Sequence, residues 1–379
     1  MKILYEGTSL FANKRIPQAG IAHYTYNIYK NLVSLDKSNE YEVFGLNFFG
    51  RPNDFKNNFP KNTKFNLIRY IPGKVWNVTN RKFKMPPLEV LMGKKADIFI
   101  FTQFRMYPTI FAKKRFTVIH DIAFKHYPEY IEAKNLKFLE RRVPEAIKKS
   151  TKILAVSEYT KWDIVKTYSA DPNKIIVTHN AVDTDRFKRT QLTSKIKNKY
   201  KLPDDYILYL GTIEPRKNIA NLLRAYSKLP KNIKDKYPLV LAGGGGWNDD
   251  EIKSEIEKAK KDAQIIQTGY VDEKDIPALY SGAELFLYPS HFEGFGMQIL
   301  EAMACGTPVL TANNSSLPEV GGDAAYYVDD KSIDSIRNGI EKLLSEPDHR
   351  KELVKKGKQQ IKKFRWKESA QKIIDAINE

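Results

Sequence analysis

Two carboxylates and a glycine-rich turn in the last third of the chain could bind an anionic ligand that also carries hydroxyl groups. Glu293 and Glu301 are separated by seven residues and enclose Gly294-Phe295-Gly296. An apolar run before them and small helix-forming residues after them predict a strand, a glycine loop and a helix. In a doubly wound sheet such a loop lies where ligands bind, and the amides that open the helix favour an anion. Both carboxylates could then accept hydrogen bonds from a sugar diol beside that anion.

A second stretch places two cations shortly after a predicted strand. The apolar run 206–210 ends at Gly211, and Arg216 and Lys217 precede a helix-like segment that begins at Ile219. Arginine can clamp two phosphate oxygens while lysine adds a compact charge, so the pair could stabilise a leaving group that gains negative charge. Adjacent cations taken alone are more often solvated than buried. The pair indicates a diphosphate site only together with the motif around it.

The two stretches resemble the signature of the group 1, family 4 retaining glycosyltransferases, which have the GT-B fold. The resemblance is carried by Pro215-Arg216-Lys217-Asn218, by Glu293-Gly294-Phe295-Gly296 and by residues 300–309, whose sequence is LEAMACGTPV. It covers the whole chain, closely from 206 to 329 and more loosely over 1–183. It implies two Rossmann-like, doubly wound α/β domains that face a central cleft, with a carboxyl-terminal helix that returns to the amino-terminal domain.

The resemblance also implies roles for individual residues. Arg216 and Lys217 would hold the diphosphate as it leaves, and Glu301 would accept the ribose hydroxyls. Glu293 would contact the transferred sugar or, as the rival hypothesis, act as a covalent nucleophile. Further contacts to the nucleotide-sugar donor are expected from the strand-end loops, at Gly20, Gly211, Gly243, Gly294, Phe295 and Gly296. No metal is expected, because the two cations and a helix terminus supply the positive charge.

His120 is the candidate catalytic residue in the amino-terminal half. It follows the strand-like run 116–119 and precedes Asp121, and a histidine there could be structural or catalytic. The resemblance favours a role at the donor sugar, from the opposite wall of the cleft. Related transferases often carry two glycines after the first strand, whereas this chain has Ala19 before Gly20, so close backbone approach is expected at Gly20 alone.

Length and composition indicate a two-domain soluble protein. The 379 residues are 42% hydrophobic, which is enough for two cores. Cys305 is the only cysteine, which excludes an intramolecular disulfide and fits a reducing cytoplasm. No apolar run is long enough for a signal peptide or a membrane span, and the scattered histidines lack metal-ligand spacing. We therefore expect a cytoplasmic protein without a metal or another cofactor.

The positive charge is concentrated in residues 51–95. The net charge of the chain is +18, and this segment holds eleven Lys and Arg against Asp54 and Glu89. Its cations alternate with aromatic residues, a mixture that suits an anionic membrane surface or nucleic acid. A solvated basic face with its aromatics in the core explains the pattern equally well. We expect peripheral contact with the inner face of the membrane and no nucleic acid partner.

Alternating apolar runs and helical periods predict βα units in both halves. The polar, basic stretch 184–204 resembles an interdomain linker. The predicted domains are an amino-terminal Rossmann-like acceptor domain (1–185), a carboxyl-terminal Rossmann-like donor domain (186–360) and a returning helix (361–379). The strand candidates are 2–7, 41–47, 65–70, 97–102, 116–120, 152–156 and 174–178 in the first half, and 206–211, 238–242, 264–268, 285–288, 308–312 and 325–328 in the second.

The expected activity is retaining transfer of a hexose from a nucleotide-diphosphate sugar to a glycan or polyprenyl-linked glycan acceptor. The pattern looks most like bacterial mannosyl- or glucosyltransferases of surface polysaccharide synthesis, with GDP-mannose as the donor. UDP-glucose and UDP-N-acetylglucosamine are the alternative donors. A sugar-nucleotide epimerase or a phosphorylase of the same fold remains an alternative, because one fold hosts many functions.

Overall fold

The computed structural model describes residues 1–11, 20–46, 59–68 and 86–379. The chain divides into two compact units, each with its own parallel sheet. Unit 1 comprises Met1–Ile122, Asn135–Asn180 and Arg365–Glu379, and unit 2 comprises Ala123–Lys134 and Ala181–Phe364. Ala123–Lys134 thus belongs to the second unit, although its position in the sequence falls within the predicted acceptor domain.

The sheet of unit 1 has seven parallel strands in the order β3-β2-β1-β4-β5-β6-β7. The chain runs outward from β1 to β3 and then returns to β4 beside β1, so the topology switches direction between β1 and β4. The strands are β1 Lys2–Glu6, β2 Glu40–Leu46, β3 Lys64–Ile68, β4 Ile98–Phe101, β5 Lys114–Ile119, β6 Lys152–Ala155 and β7 Ile175–Val177.

The sheet of unit 2 has six parallel strands in the order β10-β9-β8-β11-β12-β13. Its switch point lies between β8 and β11, the two strands that lead into the Arg216-Lys217 motif and the Glu293 motif. The strands are β8 Ile207–Leu210, β9 Leu239–Ala242, β10 Ile265–Gly269, β11 Leu285–Tyr288, β12 Val309–Ala312 and β13 Ala325–Val328.

Helices connect the strands, as parallel pairing requires. In unit 1 the described α-helices are Thr8–Phe11, Gly20–Leu35, Leu88–Met92, Ala133–Lys149, Glu158–Tyr168 and Trp366–Asn378. The first two residues of Ala133–Lys149 fall in unit 2. In unit 2 they are Ala123–His126, Ser194–Tyr200, Ile219–Ser227, Lys231–Lys236, Asp250–Ala259, Ile276–Gly282, Met297–Ala304, Leu317–Gly321, Ile333–Ser345 and Pro347–Gln360. Most central strands are buried along their whole length, because helices cover both faces of such sheets.

The last helix packs in unit 1, as the returning helix of the predicted fold should. Ser369 Oγ donates to the carbonyl oxygen of His179 at 2.7 Å, and Lys372 Nζ donates to that of Val177 at 3.1 Å. The Trp366 ring meets Tyr24 edge-on at 6.0 Å. The predicted two-Rossmann α/β fold with a returning helix is confirmed.

The segment 184–204 is not the linker that its composition indicates. Residues Ser194–Tyr200 form a helix within unit 2, and the Thr193 side chain accepts the amide of Ile196 at its start. Tyr200 is buried and donates to Asp275 at 2.8 Å. Lys195, Lys197 and Lys199 therefore lie on a short, capped helix, which shows no apolar periodicity because most of its residues are polar.

Most of the basic segment 51–95 lies outside the described residues, so its predicted membrane contact stays a prediction. Phe59 and Phe65 are described: Phe59 is 7% exposed, and its ring meets Phe65 edge-on at 5.1 Å. At least Phe59 therefore belongs to the core. Within the described ranges, no helix combines the length and the apolar character that crossing a bilayer requires.

Candidate active site

The Arg216-Lys217 motif and the Glu293 motif meet at the switch point of the unit 2 sheet. Arg216 Nη1 lies 3.0 Å from Glu293 Oε2, and Lys217 Nζ lies 2.7 Å from Glu293 Oε1. Arg216 Nη2 also contacts Glu214 Oε1 at 2.7 Å. The side chains of Lys217 and Glu293 are each 8% exposed. The structure thus brings together three of the four predicted catalytic residues, in a buried cluster of two cations and two carboxylates.

Backbone geometry fixes these side chains in place. Pro215–Lys217 forms one 3-10 turn, and Asn218 then adopts φ 61°, a conformation that asparagine tolerates better than most residues. The Asn218 side chain donates to the carbonyl oxygens of Pro289 at 2.9 Å and Asp330 at 2.7 Å. The final asparagine of the motif therefore ties the loop after β8 to the loops after β11 and β13.

Electrostatics keep Glu293 ionised. Burial alone would raise the pKa of its carboxyl, but the charges of Lys217 and Arg216 outweigh burial and lower that pKa to about 2. Burial also lowers the pKa of Lys217, while Glu293 opposes that shift. Lys217 Nζ donates to Tyr288 Oη at 2.9 Å as well. We therefore describe Lys217 and Glu293 as an ion pair at neutral pH.

A polar loop after β12 holds the Glu293 backbone. The amide of Glu293 donates to Ser315 Oγ at 3.1 Å, and Ser316 Oγ donates to the carbonyl oxygens of Glu293 at 2.8 Å and Phe295 at 3.0 Å. Sequence reasoning missed both serines and Glu214. The sequence could have indicated them, because polar residues shortly after a predicted strand lie at the ligand-binding edge of a parallel sheet.

Glu301 lies in the Met297–Ala304 helix, away from these ion pairs. Tyr280 Oη donates to its Oε2 at 3.1 Å. Burial raises the pKa of the Glu301 carboxyl to about 7, and Glu273 adds to the rise while Tyr280 and Arg186 oppose it. Near neutral pH this carboxyl is therefore poised between its neutral and its charged form, unlike that of Glu293.

The glycines of these loops are explained mainly by the backbone, either by the close approach of two loops or by a positive φ. A Cβ on Gly243 would lie 1.9 Å from the carbonyl oxygen of Gly211, so the two loops can meet only without that side chain. Gly296 precedes the Met297–Ala304 helix with φ 96°, which favours glycine. Gly294 is buried in the same loop. These four positions shape the loops, and their contact with a donor stays a prediction.

The surroundings of Phe295 and Gly20 differ from those expected for residues that contact the donor. The Phe295 ring is 3% exposed and meets Phe364 edge-on at 5.5 Å, so only its backbone could contact a donor. Gly20 begins the Gly20–Leu35 helix, and a Cβ there would meet no atom within 4 Å among the described residues. Ala19 lies outside the described residues. Among the described residues, none packs closely enough on Gly20 to require glycine there.

His120 belongs to unit 1 and directly follows β5. Its Nε2 lies 3.0 Å from the carbonyl oxygen of Thr102, so Nε2 carries the proton and the neutral ring keeps Nδ1 as an acceptor. Burial lowers the pKa of His120, which favours the neutral form at pH 7. Thr102 is itself fixed, because its amide donates to Glu6 Oε2 at 3.1 Å and its Oγ1 donates to the Glu6 carbonyl oxygen at 3.0 Å.

An aromatic segment of unit 2 covers the loop before Glu293. Tyr127 and Tyr130 stack on the His291 ring at 6.0 and 5.7 Å, and His291 Nδ1 contacts Asp330 Oδ2 at 2.6 Å. Trp247 Nε1 donates to the carbonyl oxygen of Tyr130 at 2.7 Å. Sequence analysis assigned no role to these residues.

Comparison with known proteins agrees with this architecture. Residues 191–360 match the family model described as Glycosyl transferases group 1, and residues 19–186 match that of Glycosyltransferase Family 4. The O-antigen chain mannosyltransferase B of Escherichia coli is 31% identical over 374 residues, which cover 97% of this chain and 98% of that protein.

Two solved structures show the same fold at low identity. The complex of Anabaena Alr3699/HepE with UDP and glucose has a TM-score of 0.72 at 16% identity and covers 100% of this chain and 99% of that one. Sucrose-phosphate synthase from Thermosynechococcus elongatus has a TM-score of 0.72 at 16% identity and covers 100% and 98%. Fold and sequence together define a glycosyltransferase of GT-B architecture. The chain belongs to the group 1, family 4 glycosyltransferases.

Proposed function

We propose that the chain transfers mannose from GDP-mannose to a glycan or polyprenyl-linked glycan acceptor in bacterial surface polysaccharide synthesis, with retention and without a metal. The observation that carries the proposal is the full-length similarity to an O-antigen chain mannosyltransferase, joined to the Arg216-Lys217-Glu293 cluster at the switch point. Sugar transfer from a nucleotide diphosphate requires positive charge at the leaving group, and that cluster holds two cations at the predicted place.

Arg216 and Lys217 would bind the diphosphate in fixed positions. Three ion pairs of 2.7–3.0 Å to Glu214 and Glu293 hold these cations, so little reorganisation is needed when charge develops on the leaving oxygen. Glu214 and Glu293 also neutralise the charges of the two cations, so a bound diphosphate would share Arg216 and Lys217 with Glu293. This arrangement favours the diphosphate once it gains charge during bond cleavage.

The Glu293 geometry favours sugar contact over covalent catalysis. Its two oxygens each accept from a cation, at 3.0 and 2.7 Å, and its pKa is lowered to about 2. A carboxylate stabilised in this way is a weak nucleophile. We therefore assign Glu293 to a hydroxyl of the transferred sugar, and the leaving phosphate to the removal of the acceptor's proton. His120, neutral and with its tautomer fixed by Thr102, would accept a hydrogen bond from the same sugar.

The first test is a thermal-shift screen against GDP, UDP, ADP and their common sugar conjugates, with and without EDTA. Ligand at about a hundred times its Kd adds roughly 2.7 kcal/mol to the free energy of unfolding. The proposal expects a shift with GDP and GDP-mannose that EDTA leaves unchanged. A shift restricted to UDP compounds would replace the donor by UDP-glucose or UDP-N-acetylglucosamine, and loss of the shift with EDTA would refute metal independence.

Product analysis separates transfer from the alternative reactions of this fold. NMR of the product made from GDP-mannose and a mannose-terminated oligosaccharide should show an α-linkage, the configuration of the donor. An altered free sugar would indicate an epimerase, and a sugar phosphate formed with inorganic phosphate would indicate a phosphorylase. An inverted linkage would refute retention.

A further inference from the structure

A cationic pocket lies in unit 1, at the opposite ends of the strands from His120. Its volume is about 370 Å³, and it lies between the Met106–Thr109 loop, Arg115 and one face of the Ala133–Lys149 helix. Arg115 is the second residue of β5, whereas His120 follows the last one. The pocket is therefore at the amino ends of the strands, away from the edge at which parallel sheets bind their substrates.

The lining of this pocket is strongly cationic. Arg115, Arg141, Arg142 and Lys149 line it together with a single carboxylate, that of Glu145. Glu145 is shared by Arg142 at 3.0 Å and Lys149 at 2.6 Å. Lys149 also complements the carboxyl end of its helix. Four cations against one carboxylate give the lining a net positive charge, which favours an anionic ligand.

Two buried donors in the lining lack a partner. Arg115 Nε and Thr109 Oγ1 are inaccessible to solvent and make no hydrogen bond to the described part of the chain. Leaving a buried donor unpaired costs free energy, and such groups usually mark a ligand or a function. The side chains of Arg115 and Thr109 are otherwise partly exposed, so both can turn these donors toward a phosphate group in the pocket, whose oxygens accept several hydrogen bonds and match the guanidinium fork.

Exposed apolar side chains adjoin the pocket. Ile110 and Phe111 directly follow Thr109 and are 58% and 49% exposed. The Glu89 carboxylate accepts both of their amides, at 2.9 and 3.1 Å, which holds this turn in place. Lys95 Nζ lies 4.4 Å from the centroid of the Phe111 ring. Proteins bind the interface of an anionic bilayer through exposed apolar side chains that lie beside cationic ones.

We propose that this pocket binds the phosphate group of an anionic membrane phospholipid while Ile110 and Phe111 enter the apolar layer beside it. Arg115 and Thr109 donate to the phosphate oxygens, and Arg141 adds charge. None of the residues that line the pocket is among those proposed for the donor site, and none belongs to the segment 51–95, although Glu89 and Lys95 of that segment contact the adjoining turn. The proposal does not depend on which sugar the enzyme transfers.

The test is co-sedimentation of the full chain with vesicles of phosphatidylcholine alone and of phosphatidylcholine mixed with phosphatidylglycerol. Wild-type protein should bind the mixed vesicles and not the zwitterionic ones. Arg115→Gln should weaken binding about fivefold, the usual effect of one cation near an anionic surface. Thr109→Val, which keeps the side-chain shape, should weaken it by about threefold or more. Ile110→Ser with Phe111→Ser should abolish it.

Arg337→Gln is the matched control. Arg337 lies in unit 2, its Nε is also buried without a hydrogen bond within the described residues, and it does not line the pocket of unit 1. Its substitution changes the net charge as Arg115→Gln does and should leave vesicle binding unchanged. An unchanged nucleotide-induced thermal shift shows that each variant is folded and keeps its donor site, so failure here is distinguishable from failure of the proposed function.

Three results would overturn the proposal. Equal vesicle binding by wild type and Arg115→Gln would show that Arg115 does not bind a lipid phosphate. Loss of binding in Arg337→Gln to the same extent would show that only net charge matters. Stabilisation by inorganic diphosphate that Arg115→Gln abolishes, without binding of wild type to any vesicle, would assign the pocket to a soluble anion instead of a lipid.

Discussion

The protonation of Glu301 should control donor affinity. The carboxyl of Glu301 has its pKa raised by burial from 4.5 to about 7, while its proposed role is to accept two hydrogen bonds from the ribose hydroxyls. Only the ionised form can accept both, because a protonated carboxyl has one donor and fewer acceptor sites. Lowering the pH below 7 should therefore weaken binding of the nucleotide sugar.

The magnitude follows from the pKa. With a pKa of about 7 in the free protein, about nine-tenths of the carboxyl is charged at pH 8 and about one-tenth at pH 6. If only the charged form binds, the apparent Kd for GDP-mannose should rise about tenfold between those values. Glu301→Gln should bind about 10- to 100-fold more weakly at pH 8, the usual loss of hydrogen bonds to a charged group, and show no such pH dependence.

Lowering the pH should weaken donor binding but raise the free energy of unfolding. The folded-state pKa of Glu301 lies above its ordinary value of 4.5, so the folded protein binds more protons between pH 4.5 and 7. The contribution of this group to the free energy of unfolding is full below pH 4.5 and is lost as the pH rises through 7. Glu301→Gln should therefore be more stable than wild type at pH 8, by at most about 3 kcal/mol.

Isothermal titration with GDP-mannose from pH 6 to 8 measures the affinity, and urea unfolding over the same range measures the stability. The sugar nucleotide is the better ligand, because its diphosphate is esterified at both ends and lacks the terminal phosphate that titrates near neutral pH in GDP. A wild-type Kd that stays constant from pH 6 to 8, or that varies equally in Glu301→Gln, would refute this reasoning.

Three further substitutions test the remaining assignments. Lys217→Met should reduce transfer about a hundredfold and lower the free energy of unfolding by about 1.5–3 kcal/mol, since buried Glu293 loses one of its two cations and keeps only Arg216; adding Glu293→Gln should restore stability in urea unfolding but not transfer. His120→Ala should spare nucleotide affinity in titration and reduce transfer about a hundredfold. Gly243→Ala puts a Cβ 1.9 Å from a carbonyl oxygen and should lower the Tm, whereas Gly244→Ala, with nothing within 4 Å, should not.

Each of these has a distinct contrary result. A double variant at 217 and 293 that is no more stable than Lys217→Met would show that the ion pair is not what makes the single change costly. Weaker nucleotide binding in His120→Ala would contradict a role restricted to the sugar. Equal Tm values for the two glycine variants would contradict the close approach of the loops.

The fold was largely predictable from the sequence. All thirteen predicted strands are present, and the ends that lie among the described residues differ by at most two residues, whereas the predicted ends at 47 and 70 lie outside the described residues. Buried parallel strands are short apolar runs with little competing pattern, which makes them predictable. The helix Ser194–Tyr200 was missed, since seven mostly polar residues show no apolar stripe. The assignment of Ala123–Lys134 to unit 2 was also unpredictable, because it depends on aromatic packing between residues distant in sequence.

The candidate site was predictable in part. The motifs indicated Arg216, Lys217 and Glu293, and the strand order explains why they meet: β8 and β11 are neighbours in the sheet although 74 residues separate Leu210 from Leu285. Their mutual ion pairs were not foreseen, because the motifs gave each residue a contact to the ligand. Glu214 and the Ser315-Ser316 loop follow predicted strands, but only the distances show that Glu214 pairs with Arg216 and that the serines hold the Glu293 backbone.

By itself, the sequence determined the βα order, the two-sheet class and the identity of the side chains at the strand ends, because apolar periodicity and strand-end polarity are local properties of the chain. Tertiary structure alone decided the protonation of those side chains. Glu293 and Glu301 are the same residue type, eight positions apart. Two cations lower the pKa of the first to about 2 and burial raises that of the second to about 7, since charge partners and solvent access exist only once distant strands are packed together.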